Sequence, residues 1–147
     1  MNEILLPIKI LHQDAKHPTK GSEHAAGYDL YAIENADINY MCRAKLRTGI
    51  AIQLPMGTAG LIWPRSKLAN KFGIQVMGGV IDQDYIGEIM ISILNTGIHT
   101  FEVRKGDRIA QLIIQQVINY YDGFKEVDEL TRTERGSAGI NDIEVRR

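Results

Sequence analysis

Gly79-Val80-Ile81-Asp82-Gln83-Asp84-Tyr85-Ile86-Gly87-Glu88 sets a polar turn between two apolar stretches, Ile74 to Met77 before it and Ile86 to Leu94 after it. Alternating apolar character on both sides of a short polar segment predicts two strands joined by a hairpin. Asp and Gly suit such a turn, Asp by bonding its own backbone and Gly by supplying positive φ. Tyr85 has no turn-forming reason to be there, so the segment is more than a connector. Working outward, further short apolar stretches recur between turn signals: Ile4 to Leu11, Gly27 to Ile33, Leu46 to Leu54, Gly60 to Trp63, Thr100 to Val103 and Ile109 to Ile118. Many short strands at this spacing predict an all-β sandwich or barrel. One short helix is expected over Lys67 to Phe72, with Ser66 as N-cap and Gly73 as its stop. Exposed strand edges in such a chain favour closure or association.

The chain has 147 residues, enough for one domain with a substantial core, and 44% of them are hydrophobic. Seventeen basic residues oppose eighteen acidic ones, a net charge of -1, which argues against holding nucleic acid by bulk phosphate neutralisation. A local cluster for a small polyphosphate stays open. Cys42 is the sole cysteine, so no intrachain disulfide forms and a reducing compartment is expected. No apolar run approaches the ~20 residues of a membrane span. The opening residues lack the basic-then-apolar order of a secretion signal. These features together predict a cytoplasmic protein without membrane association. His12, His17, His24 and His99 lack metal-ligand spacing and read as surface residues.

Three further segments carry chemical groups. Arg65 and Ser66, entering the helix, offer a guanidinium, a hydroxyl and backbone amides, the groups a phosphate needs. A helix-capping serine beside a solvated arginine would look the same. The turn around Gly106 leads into Asp107-Arg108-Ile109-Ala110-Gln111-Leu112, where Asp107 could orient Arg65 and Gln111 could donate to a phosphate; an ordinary charged hairpin has the same composition. Asp29 lies within Ala26-Gly27-Tyr28-Asp29-Leu30-Tyr31, an unfavourable place for an aspartate by strand propensity. It either points outward or helps hold a hydrated Mg²⁺.

In this order, the stretches 26–31, 64–69, 79–88 and 105–112 resemble the first four motifs of the trimeric dUTPase family, with a weaker fifth at Arg135-Gly136-Ser137-Ala138-Gly139. The resemblance implies a jelly-roll-like β-barrel subunit over residues 1–130, a flexible C-terminal arm over 131–147, and a homotrimer with active sites between subunits. It implies hydrolysis of dUTP to dUMP and pyrophosphate with Mg²⁺ as cofactor, limiting uracil in DNA and supplying dUMP. Asp82 is then the base that activates water, and Tyr85 stacks on deoxyribose and excludes a 2′-hydroxyl. The backbone from Met77 to Val80 reads uracil, so Gly79, Val80 and Ile81 join the substrate contacts. Arg65, Ser66 and Gln111 hold phosphates, Asp107 steadies Arg65, and Asp29 meets Mg²⁺ through water. Arg135 closes onto the γ-phosphate from the arm.

The tail departs from the family's usual Gly-Gly-Phe-Gly-Ser-Thr-Gly. Ile140 stands at the aromatic position and covers a base without stacking as a ring does. Asn141 keeps a donor, whereas Asp142 repels phosphate. Lys67 replaces a small residue and either adds a phosphate contact or points to solvent. Ile86 replaces a polar one. Two rival readings share the fold: a dCTP deaminase, and a catalytically weak nucleotide-binding regulator that the altered tail would suit.

Overall fold

The computed structural model describes residues 5–118 and 122–136. Twelve strands and one helix form among them: β1 (Ile8–Ile10), β2 (Thr19–Lys20), β3 (Tyr28–Tyr31), β4 (Ala36–Ile38), β5 (Arg43–Arg47), β6 (Ile50–Ile52), β7 (Thr58–Trp63), α1 (Ser66–Phe72), β8 (Ile74–Met77), β9 (Val80–Ile81), β10 (Met90–Asn95), β11 (Phe101–Val103) and β12 (Arg108–Gln116). The all-β expectation with a single short helix is met. The ladders are antiparallel throughout and make four sheets, ordered β1-β6, β5-β10-β8, β11-β4 and β2-β3-β12-β7-β9, in place of one closed barrel.

The inner faces meet in one core. Leu30, Ile74 and Ile93 are fully buried, and Leu46, Ile91, Ile109 and Leu112 are nearly so. Each such side chain contributes about 2 kcal/mol by leaving water. Asn95 is buried among them and fully satisfied: its Nδ2 donates to the carbonyls of Ile38 (2.7 Å) and His99 (2.8 Å), and its Oδ1 accepts from the Gly97 amide (2.9 Å). It fixes the turn that ends β10.

Two expected strands differ from those observed. The run from Leu46 to Leu54 is divided between β5 and β6, because Gly49 takes a left-handed conformation (φ 69°) and Thr48 Oγ1 donates to the Ile89 carbonyl (2.5 Å). One apolar run thereby feeds two sheets. The strand expected from Ile86 starts only at Met90, since Gly87 lies under the Tyr85 ring and Ile86 is exposed. The helix also starts differently. Arg65 is its N-cap, with extended backbone and its carbonyl accepting from the Ala69 amide (3.0 Å), so Ser66 is the first helical residue. Gly73 closes the helix as expected, left-handed at φ 67° and donating to the Leu68 and Ala69 carbonyls. No helix among the described residues is long and apolar enough to cross a membrane.

Candidate active site

Strand register assembles one group of predicted residues. Asp29 on β3 is paired with Gln111 on β12, and Gln111 with Trp63 on β7. Directly paired residues of antiparallel strands project to the same face. The three therefore form a row on the outer face of the five-stranded sheet, away from Leu30 and Ile62. Pro64 ends β7, and Arg65 turns back over this row.

Asp29 is the hub. Its Oδ1 accepts from Arg65 Nε (2.8 Å) and its Oδ2 from Arg108 Nη1 (3.2 Å), with only 11% of the carboxylate side chain exposed. Holding Arg65 through Nε leaves both its Nη groups without a partner among the described residues. A guanidinium held through Nε keeps its Nη groups for a bidentate acceptor such as a phosphate. Gln111 Nε2 donates to the Pro64 carbonyl (3.0 Å), tying β12 to the same turn. Its side chain runs across Gly27, where a Cβ would lie 2.5 Å from Gln111 Oε1. Ser66 and Lys67 are exposed on the first turn of α1. The expected pairing of Asp107 with Arg65 is corrected: Asp107 Oδ2 accepts the amide of Arg104 (2.8 Å) and closes its own turn around Gly106 (φ 90°). Asp29, a strand neighbour by register, takes that role.

The second group is built from turns. The Tyr85 amide donates to the Asp82 carbonyl (3.1 Å), and Gln83 Oε1 accepts the Gly57 amide (2.8 Å). Tyr85 Oη donates to the Glu88 carbonyl (2.9 Å), laying the ring over Gly87, where a Cβ would stand 2.6 Å from that oxygen. Glu88 is clamped by Arg47 Nε (3.1 and 3.2 Å) and by the Gly49 amide (2.8 Å). At the other side, Gly78 is left-handed (φ 61°) and the Gly79 carbonyl accepts the Ile62 amide (2.6 Å). A side chain at Gly79 would collide with the Ile62 carbonyl. Asp82, Tyr85, Gly78, Val80 and Ile81 line one cavity of about 270 Å³, together with Lys45 and Ser92. Asp82 is exposed there without an ion pair among the described residues.

The two groups lie at opposite ends of β7. Ile81 is paired with Gly60 and Val80 with Leu61, so Asp82 lies beyond Gly60 on the side away from Trp63. Continuing that register sets Asp82 level with Ala59, four residues from Trp63, so β7 separates it from the Pro64 turn by roughly 13 Å. Within one copy the two groups stay at opposite ends of the strand.

Arg135 is exposed, in a turn where the Gly136 amide donates to the Thr133 carbonyl (3.1 Å). Ile140 and the rest of the tail from Ser137 lie outside the described residues. No group of His, Cys, Asp or Glu among the described residues could by itself cage a metal. Arg108, Gly27 and Lys45 escaped the sequence reading. The first two stood inside quoted segments, but only strand register reveals what they touch.

The profile of the dUTPase family matches residues 13–142. The deoxyuridine 5′-triphosphate nucleotidohydrolase of Paramecium bursaria Chlorella virus 1 is 46% identical over 135 residues, covering 92% of this chain and 94% of that one. The mitochondrial human enzyme of the same name is 48% identical over 130 residues, covering 88% of this chain and 51% of the human one, about half its length. Among solved structures, the dUTPase of Staphylococcus bacteriophage 80alpha with dUPNHPP superposes with a TM-score of 0.86 at 26% identity, covering 96% of this chain and 99% of that one. The chain belongs to the dUTPase family.

Proposed function

We propose that this protein hydrolyses dUTP to dUMP and pyrophosphate at a site completed between copies of the chain. The observation that carries it is the joint lining of one small cavity by Asp82 and Tyr85, a carboxylate and a fixed aromatic ring. Asp82 accepts a proton from a water molecule whose oxygen attacks the α-phosphorus. The bond from that phosphorus to the bridging oxygen breaks, and its electron pair leaves with pyrophosphate. Tyr85 packs on the deoxyribose and leaves no space for a 2′-hydroxyl, while the Gly78-Gly79 backbone lies along the base. From another copy, Arg65 supplies positive charge to the phosphates and Ser66 and Gln111 donate hydrogen bonds to them, which is most of what such a displacement requires. In one chain these groups stand at opposite ends of β7, and the homotrimer of the resemblance brings them together from neighbouring copies.

The donor set fits Mg²⁺ held mainly by the substrate's phosphates. Asp29 has two oxygens, each already engaged by one guanidinium N–H, and keeps lone pairs for hydrogen-bonding the metal's water. When bound there, Mg²⁺ supplies charge neutralisation at the phosphates. The segment from residue 131 onward, with Arg135 and Ile140, closes over the nucleotide as an arm beyond the domain of residues 1–130. The single, free Cys42 suits a cytoplasmic setting.

The test is pyrophosphate release by the purified protein with Mg²⁺, comparing dUTP with dCTP, dTTP and UTP. Release from dUTP alone is expected. Equal release from UTP, or none from dUTP, would reject the proposal.

A further inference from the structure

The cavity holding Asp82 and Tyr85 has a second end, lined by Lys45 and Ser92. Lys45 on β5 is paired with Ser92 on β10, and Ser92 with Met77 on β8, so the three stand side by side on the outer face of that sheet. Lys45 and Ser92 line the cavity of about 270 Å³ with Asp82 and Tyr85. With Gly78 they also line the adjoining hollow of about 480 Å³, which neither Asp82 nor Tyr85 reaches. The lysine therefore marks the end remote from the carboxylate. Along the same face of β5, Arg47 is committed to Glu88, whereas Lys45 has no ion pair or hydrogen bond among the described residues. A lysine that lines a cavity with no protein acceptor among the described residues can donate to a ligand there.

We infer that Lys45 is a base-specificity residue whose ammonium donates to the exocyclic O4 of uracil. This inference rests on the proposed orientation of the nucleotide, with its sugar at Tyr85 and its α-phosphate at Asp82. The base then extends toward Gly78, Ser92 and Lys45. At that edge uracil and thymine present a carbonyl acceptor, whereas cytosine presents an amino donor. An ammonium attracts the first and opposes the second, so Lys45 separates dUTP from dCTP and not dUTP from dTTP. Rejection of the thymine methyl group is left to the shape of the Gly78-Gly79 turn.

The experiment measures kcat and KM for dUTP, dCTP and dTTP, and the binding of dUMP and dCMP by calorimetry, in the unaltered protein, Lys45→Ala and Lys45→Arg. Lys45 is exposed on an edge strand, so both variants should fold, which thermal melting verifies. In Lys45→Ala the preference for dUTP over dCTP should fall roughly tenfold to a hundredfold, through KM, with kcat for dUTP little changed. The dUTP to dTTP preference should stay constant, and Lys45→Arg should restore most of the lost selectivity. An unchanged dUTP to dCTP ratio overturns the inference, as does an equal loss for all three nucleotides, which would put Lys45 against phosphate or O2. Binding separates this from the reaction itself. Preference for dUMP over dCMP that disappears in Lys45→Ala upholds the role of Lys45 even if no hydrolysis is seen. Absence of that preference in the unaltered protein overturns it.

Discussion

The two ends of β7 solve opposite problems. At the Arg65 end, three charged side chains from three segments are locked together: Asp29 is largely buried, and its two oxygens hold Arg65 and Arg108. At the Asp82 end the Asp82 carboxylate is exposed and has no ion pair among the described residues, and the glycines at 78, 79 and 87 shape the space beside it. Under the proposed function, one end fixes cations in advance of a highly charged ligand, which lowers the reorganisation needed when phosphates arrive. Under the same proposal, the other keeps a carboxylate uncommitted so that it can take a proton. A carboxylate whose two oxygens each accept from an arginine is committed to holding those cations. Asp29 and Asp82, the same residue type, therefore sit in opposite electrostatic settings.

The largest effect comes from separating the two ends onto different chains. Asp82→Asn and Arg65→Ala, each alone, should be nearly inactive. Denatured together and refolded as a mixture, they should recover activity, because some sites draw Asp82 from one copy and Arg65 from another. Random assembly restores about a quarter of such sites. Recovery no greater than the sum of the separate variants would show that each chain works alone.

Next in size is the base itself. Asp82→Asn keeps the shape of the turn, whose hydrogen bond to Tyr85 uses the backbone carbonyl of residue 82. Turnover should fall about 10² to 10⁴-fold, with binding of a non-hydrolysable dUTP analogue within a few-fold of normal. Pyrophosphate release and calorimetry together check this, and retention of full turnover would remove Asp82 from the chemistry.

At the locked end the corresponding change is Asp29→Asn. It leaves the Arg65 and Arg108 guanidiniums facing each other with no carboxylate between them. A loss of about 3 kcal/mol in stability is expected from removing one partner of a largely buried pair, measured by urea denaturation. KM for dUTP should rise as well, since Arg65 loses its anchor. An unaffected midpoint would mean that the pair is too well solvated to matter. The same logic makes Asp82→Asn neutral for stability, which sharpens the contrast between the two carboxylates.

Much of this was legible in the sequence, and the misses share a cause. Apolar alternation located most of the longer strands, and Gly73 marked the end of α1 where it occurs. Strands of two or three residues, β2, β4 and β9, are too short to show a period. Thr48 and Gly49 hid a corner inside an apolar run. Arg65, Gln111 and Asp82 stood out as chemical groups, but which aspartate holds Arg65 depends on register. Nothing in linear spacing says that Asp29 is opposite Gln111 while Asp107 turns back on Arg104. Lys45 reaches the cavity for the same reason, through the β5–β10 pairing, and as one cation in a charged strand it carried no signal.

The smallest effect separates the two parts of Tyr85. If its ring guards the sugar, Tyr85→Ala should improve UTP relative to dUTP, about tenfold, because the space that a 2′-hydroxyl would occupy opens. Its hydroxyl has a different partner: it donates to the Glu88 carbonyl at an exposed position. Tyr85→Phe removes that bond and keeps the ring, at a cost of about 0.5 kcal/mol in holding the ring over Gly87. The UTP to dUTP ratio should therefore stay within about twofold in Tyr85→Phe. Parallel kinetics on the two variants decide the matter. A large change in Tyr85→Phe would mean that the tether to Glu88, and with it the Arg47 clamp, sets sugar selection. The open end of the site would then depend on a locked pair of its own, and the difference between the two ends of β7 would be one of degree.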